Sequence, residues 1–159
     1  DMRGAYDKII SIEMIEAVGH EFLGTYFSHM DRLLKPGGTA VIQAITIVDQ
    51  HYDLYRKEGD WIQKHIFPGA VVPSLKAMND AIKNNSRFFI DQIENIGVHY
   101  AKTLRCWREN LLANRARLEE MNYNDQFIRT WEYYFSYCEA GFAARTLNDL
   151  QIVLQRPNA

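Results

Sequence analysis

Two short β-branched, apolar runs bracket one amphipathic stretch, and this arrangement constrains the fold more than any other feature of the sequence. The first run is 8–14, Lys8-Ile9-Ile10-Ser11-Ile12-Glu13-Met14, and the second is 39–47, Thr-Ala-Val-Ile-Gln-Ala-Ile-Thr-Ile. Between them, in 21–34, Phe22, Leu23, Tyr26, Phe27, Met30, Leu33 and Leu34 recur at the three-and-four spacing of a helix with one apolar face. Lys35-Pro36-Gly37-Gly38 stops that helix, because proline cannot continue it and glycine supplies the turn. Strand, helix, Gly turn and strand make a βαβ unit with a right-handed crossover. A run that is apolar on both faces suits a strand covered on both sides, so 8–14 is expected to be buried in a parallel sheet.

The remainder extends this plan. Helix-like stretches are expected at 52–65 and 74–84, with a loop at 66–74 whose prolines and glycine break the pattern and whose Ser74 caps the next helix. A strand over 88–98 should end at Gly97. Two long helices follow at 100–121 and 124–145, and a strand at 150–154 closes the chain. The expectation is an open α/β sheet with helical insertions, formed by residues 1–159 as a single domain.

Composition excludes several classes. Eighteen Lys and Arg against twenty Asp and Glu leave a net charge of −2, which argues against a nucleic-acid binder that relies on a positive field. Cys106 and Cys138 are too few for a disulfide framework or a zinc site, and a reducing cytoplasm is the expected compartment. No apolar run approaches the roughly 20 residues of a membrane span. The sequence shows no Gly-rich phosphate loop, no Ser-His-Asp constellation and no metal-ligand cluster. The abrupt opening, Asp1-Met2-Arg3-Gly4 leading straight into a strand, is what a stretch from within a longer protein would show.

Chemistry in open α/β sheets sits beyond the carboxyl ends of the strands. Glu13 and Glu16 lie there, either as ligand-holding acids or as acids favoured at a helix start. Gln43 interrupts an apolar strand, and its amide needs partners from a neighbouring loop or a ligand. His99 and Tyr100 occupy a strand-to-helix junction, where His99 reads as a surface residue and Tyr100 as a site residue or core plug. Trp131, Phe135, Cys138 and Phe142 share one face of the helix at 124–145, with Tyr134 beside them; this face is either core or the wall of an apolar channel. The helix at 100–121 carries Lys102, Arg105, Arg108, Arg115 and Arg117, a solvated face or a contact with anionic lipid.

Taken together, several stretches resemble the cyclopropane-fatty-acyl-phospholipid synthase family. Tyr6 to Gly19 (YDKIISIEMIEAVG) is similar to its fourth-strand motif, and Leu34-Lys35-Pro36-Gly37-Gly38 to the turn before the fifth strand of S-adenosylmethionine (SAM) methyltransferases at large. Ile66-Phe67-Pro68-Gly69 with Pro73-Ser74, Asn95 to Tyr100, Thr103 to Trp107, and Tyr133 to Phe142 match in order and spacing. The resemblance implies the part of a class I SAM-dependent methyltransferase, Rossmann-like sheet from the fourth strand onward, without the Gly-rich SAM loop. It implies transfer of a methyl group from SAM to a cis double bond of a phospholipid acyl chain, with proton loss closing a cyclopropane. It also implies a bound bicarbonate as the base. Glu16 matches the glutamate that holds it, Tyr100 the tyrosine, and Ile45 a backbone contact. Gln43 stands where the family has histidine, an amide in place of a group able to become a cation. Cys138 matches a recurring cysteine, and Trp131, Tyr134, Phe135 and Phe142 would line the acyl channel. The implied setting is cytoplasmic and peripheral to the membrane, with a homodimer a further expectation and nucleic acid excluded. The competing readings are a small-molecule N-methyltransferase of the same superfamily and a non-catalytic binding or dimerisation remnant.

Overall fold

The computed structural model describes residues 2–158; Asp1 and Ala159, the ends of the expected domain, lie outside the described residues. The chain divides into two compact units. One runs up to Asn95 and resumes at Asn148, and the other is Ile96–Leu147.

The first unit is built on the βαβ element. Strand β1 (Tyr6–Ile12) pairs in parallel with β2 (Leu34–Ile47), with α1 (Leu23–Leu33) as the crossover. After β2 come α2 (Asp49–Glu58), α3 (Trp61–His65), α4 (Leu75–Asn85) and β3 (Phe89–Asn95). Helices α5 (Gly97–Ala113), α6 (Arg115–Glu120) and α7 (Asp125–Ala143) form the second unit, and β4 (Leu147–Gln155) returns to the sheet. The strand order is β1-β2-β4-β3, with β3 antiparallel to β4. Thr39 bonds Gln155 and Gln43 bonds Gln151, pairs that run in opposite senses, so β4 is also antiparallel to β2.

Alternation along the strands sorts side chains between two faces. Ala40, Ile42 and Ala44 of β2 and Leu150, Ile152 and Leu154 of β4 are buried with Tyr26, Phe27 and Met30 of α1 and Met78 and Ile82 of α4 in one core. Gln43 and Ile45 of β2 and Asp149 and Gln151 of β4 fall on the opposite face. Helix α1 packs closely on α4 at Gly24, where an added Cβ would come within 2.9 Å of the Asn85 side chain.

Four expectations need correction. First, β1 is not covered on both sides: Ile10 is 71% and Ile12 63% exposed. Among the described residues its strand neighbour is β2 alone, which puts it at the end of the strand order, and α1 and α4 cover the other face. Second, β2 begins at Leu34 rather than 39. Tyr6 pairs with Leu34 and Lys8 with Thr39, so Lys35–Gly38 loops out as an irregularity inside the strand, with Gly37 at φ 71°. Third, the expected helix at 52–65 is two. Gly59 at φ 67° ends α2, and Asp60 starts α3 with a capping box, its side chain accepting from Gln63 N. Fourth, the helix expected over 100–121 breaks at Asn114 into α5 and α6, and Gly97 opens α5 instead of closing β3. The Ser74 cap is present: its hydroxyl accepts from Ala77 N at the start of α4.

Candidate functional site

Beyond the end of β1 the chain turns sharply. Glu13 adopts φ 48°, a left-handed conformation uncommon for a residue with a side chain, and its N–H donates to Gln43 O at 2.9 Å. A 3-10 turn, Ile15–Ala17, follows, and it places Glu16 across from the end of β2. Ile45 N–H donates to Glu16 Oε1 at 2.6 Å. Val71 N–H donates to Glu16 O at 2.8 Å, and Ile47 N–H to Pro73 O at 3.0 Å, so the 66–74 loop is fastened to the same strand ends.

Gln43 is the hub of a second set of bonds. Its Nε2 donates to Glu13 Oε1 at 2.9 Å and to Asp149 Oδ2 at 3.2 Å, while Gln151 Nε2 donates to Gln43 Oε1 at 3.0 Å. The half-buried amide is satisfied by the neighbouring loop and strand. Glu13, Glu16, Gln43, Ile45, Asp149 and Gln151 thus form one polar cluster at the carboxyl ends of β1 and β2.

The cluster is electrostatically crowded. Burial pushes the Glu16 carboxyl above its ordinary range, against the backbone N–H groups of Glu16 and Ile45, and the Glu13 and Asp149 charges add to the push. Asp149 is fully buried, and desolvation with the nearby Glu13 charge raises it to about 6. Glu16 Oε2 and Asp149 Oδ1 are both buried without a hydrogen-bond partner. Asp149 therefore keeps its proton in the folded state to a higher pH than in the unfolded chain, where an Asp titrates near about 4. Between these two values the folded state binds the extra proton, so stability should fall as pH rises from about 4 to about 6. Glu16 acts in the same direction. Urea midpoints measured across this window should show the decline, and Asp149→Asn should flatten it; an unchanged slope in the variant would contradict the assignment.

The second unit holds the other expected residues. Tyr100 stacks on Phe142 with ring centroids 4.9 Å apart, and Cys138 is buried one turn earlier on α7. Trp131, Tyr134 and Phe135 are brought together as a ring cluster, Trp131 lying 5.3 Å from Tyr134 and 5.7 Å from Phe135. Phe142 belongs with Tyr100 rather than with that cluster. The basic face of the helices is largely spent on ion pairs. Arg105 and Arg108 reach Glu139 at 2.8 and 3.1 Å, and Arg115 reaches Glu119 at 2.9 Å and Asp125 at 2.6 Å.

Sequence reasoning missed Asp149 and Gln151. Both were legible in principle, because Asp149 precedes an apolar strand at a position whose alternation puts it beside Gln43. Reading the strand as starting at Leu150 removed it from view.

The family description "Mycolic acid cyclopropane synthetase" matches residues 1–152. The chain belongs to that family. It is 40% identical over 156 residues to the tuberculostearic acid methyltransferase UfaA1 of Mycobacterium tuberculosis, covering 98% of this chain and 36% of the relative. It is 34% identical over 156 residues to the cyclopropane-fatty-acyl-phospholipid synthase of Escherichia coli, covering 98% and 39%. The chain thus spans less than half the length of these relatives. Among solved structures, the mycolic acid cyclopropane synthase CmaA1 complexed with SAH and CTAB superposes with a TM-score of 0.86 at 25% identity, over 98% of this chain and 57% of that one. The mixed sheet and helices are those of a class I SAM methyltransferase fold.

On the first unit, the Gln43 and Ile45 donors that the resemblance assigned to a bicarbonate are bonded within the chain. Ile45 N–H is given to Glu16, and the Gln43 amide hydrogens are given to Glu13 and Asp149. The oxygens left without a hydrogen-bond partner, Glu16 Oε2 and Asp149 Oδ1, are buried acceptors.

Proposed function

We propose that the protein carrying this chain is a SAM-dependent C-methyltransferase that alkylates a cis double bond of a lipid acyl chain. The substrate reading is a phospholipid acyl chain and the product a cyclopropane. The observation that carries the proposal is the Glu16 carboxyl, half-buried, held on Ile45 N–H at the parallel strand ends of a chain in this family. The relatives support it: a tuberculostearic acid methyltransferase, a cyclopropane-fatty-acyl-phospholipid synthase and a mycolic acid cyclopropane synthase solved with SAH.

The chemistry follows from what the reactants need. The SAM sulfonium is electrophilic enough to need no protein nucleophile, so the protein orients the alkene, excludes water and accepts a proton. The rings of α7, Trp131, Tyr134 and Phe135, and separately the Tyr100–Phe142 stack, would serve as acyl-channel lining, since aromatic π-faces favour a cation. A bicarbonate, when bound, would supply the base, and Glu16 is the residue of this chain that the resemblance places beside it. In this reading the protein works at the cytoplasmic surface of the membrane, and a homodimer is its expected assembly. Among the described residues no helix is long and apolar enough to cross a membrane.

The test is to incubate the complete protein with methyl-labelled SAM and vesicles of a monounsaturated phospholipid, then separate acyl chains from headgroups. Label is expected in the acyl chains and absent when the vesicle lipids are saturated. Label transferred only to small amines would favour an N-methyltransferase, and no transfer to any acceptor would favour a binding remnant.

A further inference from the structure

The start of β1, the last turn of α1, the start of β2 and the end of β4 meet at one end of the sheet. That end lies roughly 20 Å along β1 from the Glu16 cluster. A cleft of about 460 Å³ opens there, lined by Met2, Arg3, His29, Arg32 and Leu33. Most cations around it are spent on carboxylates: Lys35 pairs with Asp7, and Arg87 and Arg156 pair with Asp31. Among the described residues the arginines without an ion pair are Arg3, Arg32, Arg117 and Arg145, and two of them line this cleft. Arg32 Nη2 has only Met2 O, 3.5 Å away. His29 Nδ1 donates to Thr25 O at 2.8 Å, which leaves Nε2 for a further partner. The last turn of a helix favours cations, which accounts for Arg32 on α1. It does not account for Arg3, which reaches the cleft from ahead of β1.

We infer that this cleft binds a small phosphate ester, with Arg3 and Arg32 on its phosphoryl oxygens and Met2 and Leu33 against its organic part. Two like charges lining one cleft repel each other, and an oxyanion between them turns that repulsion into attraction. Each guanidinium presents paired N–H donors whose fork matches two phosphate oxygens. His29 Nε2 can accept the O–H of a phosphate monoanion or, when the ring is protonated, donate to the dianion. The volume exceeds what a bare phosphate fills and falls within the range of small-molecule sites. The cleft and the Glu16 cluster lie at opposite ends of β1, so the ligand takes no part in the chemistry at that cluster. A soluble phosphate ester and phosphatidic acid in a bilayer present the same group, and the test separates them.

The complete protein is titrated calorimetrically with glycerol phosphate and sedimented with phosphatidylcholine vesicles with or without phosphatidic acid. Saturable binding of glycerol phosphate is expected, and the double variant Arg3→Gln, Arg32→Gln should weaken it at least about tenfold. Arg117→Gln removes an arginine that is equally unpaired but lies elsewhere, so it should bind as the wild type does. All three arginines are exposed, and the urea midpoints of the variants should match the wild type. Binding only to vesicles with phosphatidic acid, lost in the double variant, would assign the phosphate to a lipid headgroup. Failure of the wild type to bind either probe, a double variant that binds normally, or an equal loss in Arg117→Gln would each overturn the site.

Discussion

Replacing Asp31 with alanine should cost the fold about 3–5 kcal/mol, because it strands a buried cation. Asp31 lies on α1 and is 8% exposed. One carboxylate oxygen accepts from Arg87 Nε at 3.0 Å and Nη2 at 2.9 Å, and Arg156 Nε stands 3.4 Å from the other. Arg156 Nη1 also donates to the Asp31 backbone carbonyl at 2.8 Å. The Arg87 side chain is 55% exposed and can return to water, but that of Arg156 is 10% exposed and cannot. This cluster ties the crossover helix to the end of β4 across 125 residues of sequence. Urea unfolding should show a lower midpoint at an unchanged slope. Replacing Arg156 with methionine in the same chain should recover much of the loss, since an apolar group there no longer needs a partner. A loss below about 1 kcal/mol would mean that Arg156 finds other compensation.

Glu16→Gln should lower turnover of the complete protein at least about tenfold while leaving the fold nearly as stable. Glutamine keeps an oxygen for Ile45 N–H and the same shape, so the bond that positions residue 16 survives. The charge and the basic oxygen disappear. Losing a desolvated charge next to Glu13 and Asp149 relieves repulsion, so the urea midpoint at neutral pH should hold or rise slightly. An acid that merely favoured a helix start would behave differently, with about 1 kcal/mol or less of stability lost and turnover intact. Normal turnover in the Gln variant would remove Glu16 from the chemistry.

The parts of the fold legible in the sequence were those in which local pattern and tertiary role agree. The βαβ unit follows from the periodicity of α1 and the β-branched runs beside it, and the α4 boundary follows from Ser74. Local pattern cannot say which strand lies at an edge. The isoleucines of β1 looked like those of a buried strand, yet Ile10 and Ile12 lie on the face opposite α1 and α4, while Ile9 packs against the core. Nor can it separate a turn between elements from an excursion within one, which is why Lys35–Gly38 read as the end of a loop. At the site, Glu16, Ile45 and Gln43 were visible because each breaks or ends a strand pattern. Their bonding was not, since Asp149 is 106 residues from Gln43 and becomes its partner only through the antiparallel return of β4. Gln43 changed most in meaning: as a lone polar residue it suggested a donor aimed at a ligand, and in the structure its donors go to carboxylates of the chain.

The central claim is that this sheet end serves methyl transfer to a lipid double bond followed by loss of a proton from the added carbon. Supplying the complete protein with SAM carrying a trideuterated methyl group, and reading the acyl products by mass spectrometry, tests both halves together. Acyl chains should gain one carbon and keep two of the three deuterons, the third having left as a deuteron. Products that retain all three deuterons on the added carbon, or label found on nitrogen with the acyl chains unchanged, would contradict it.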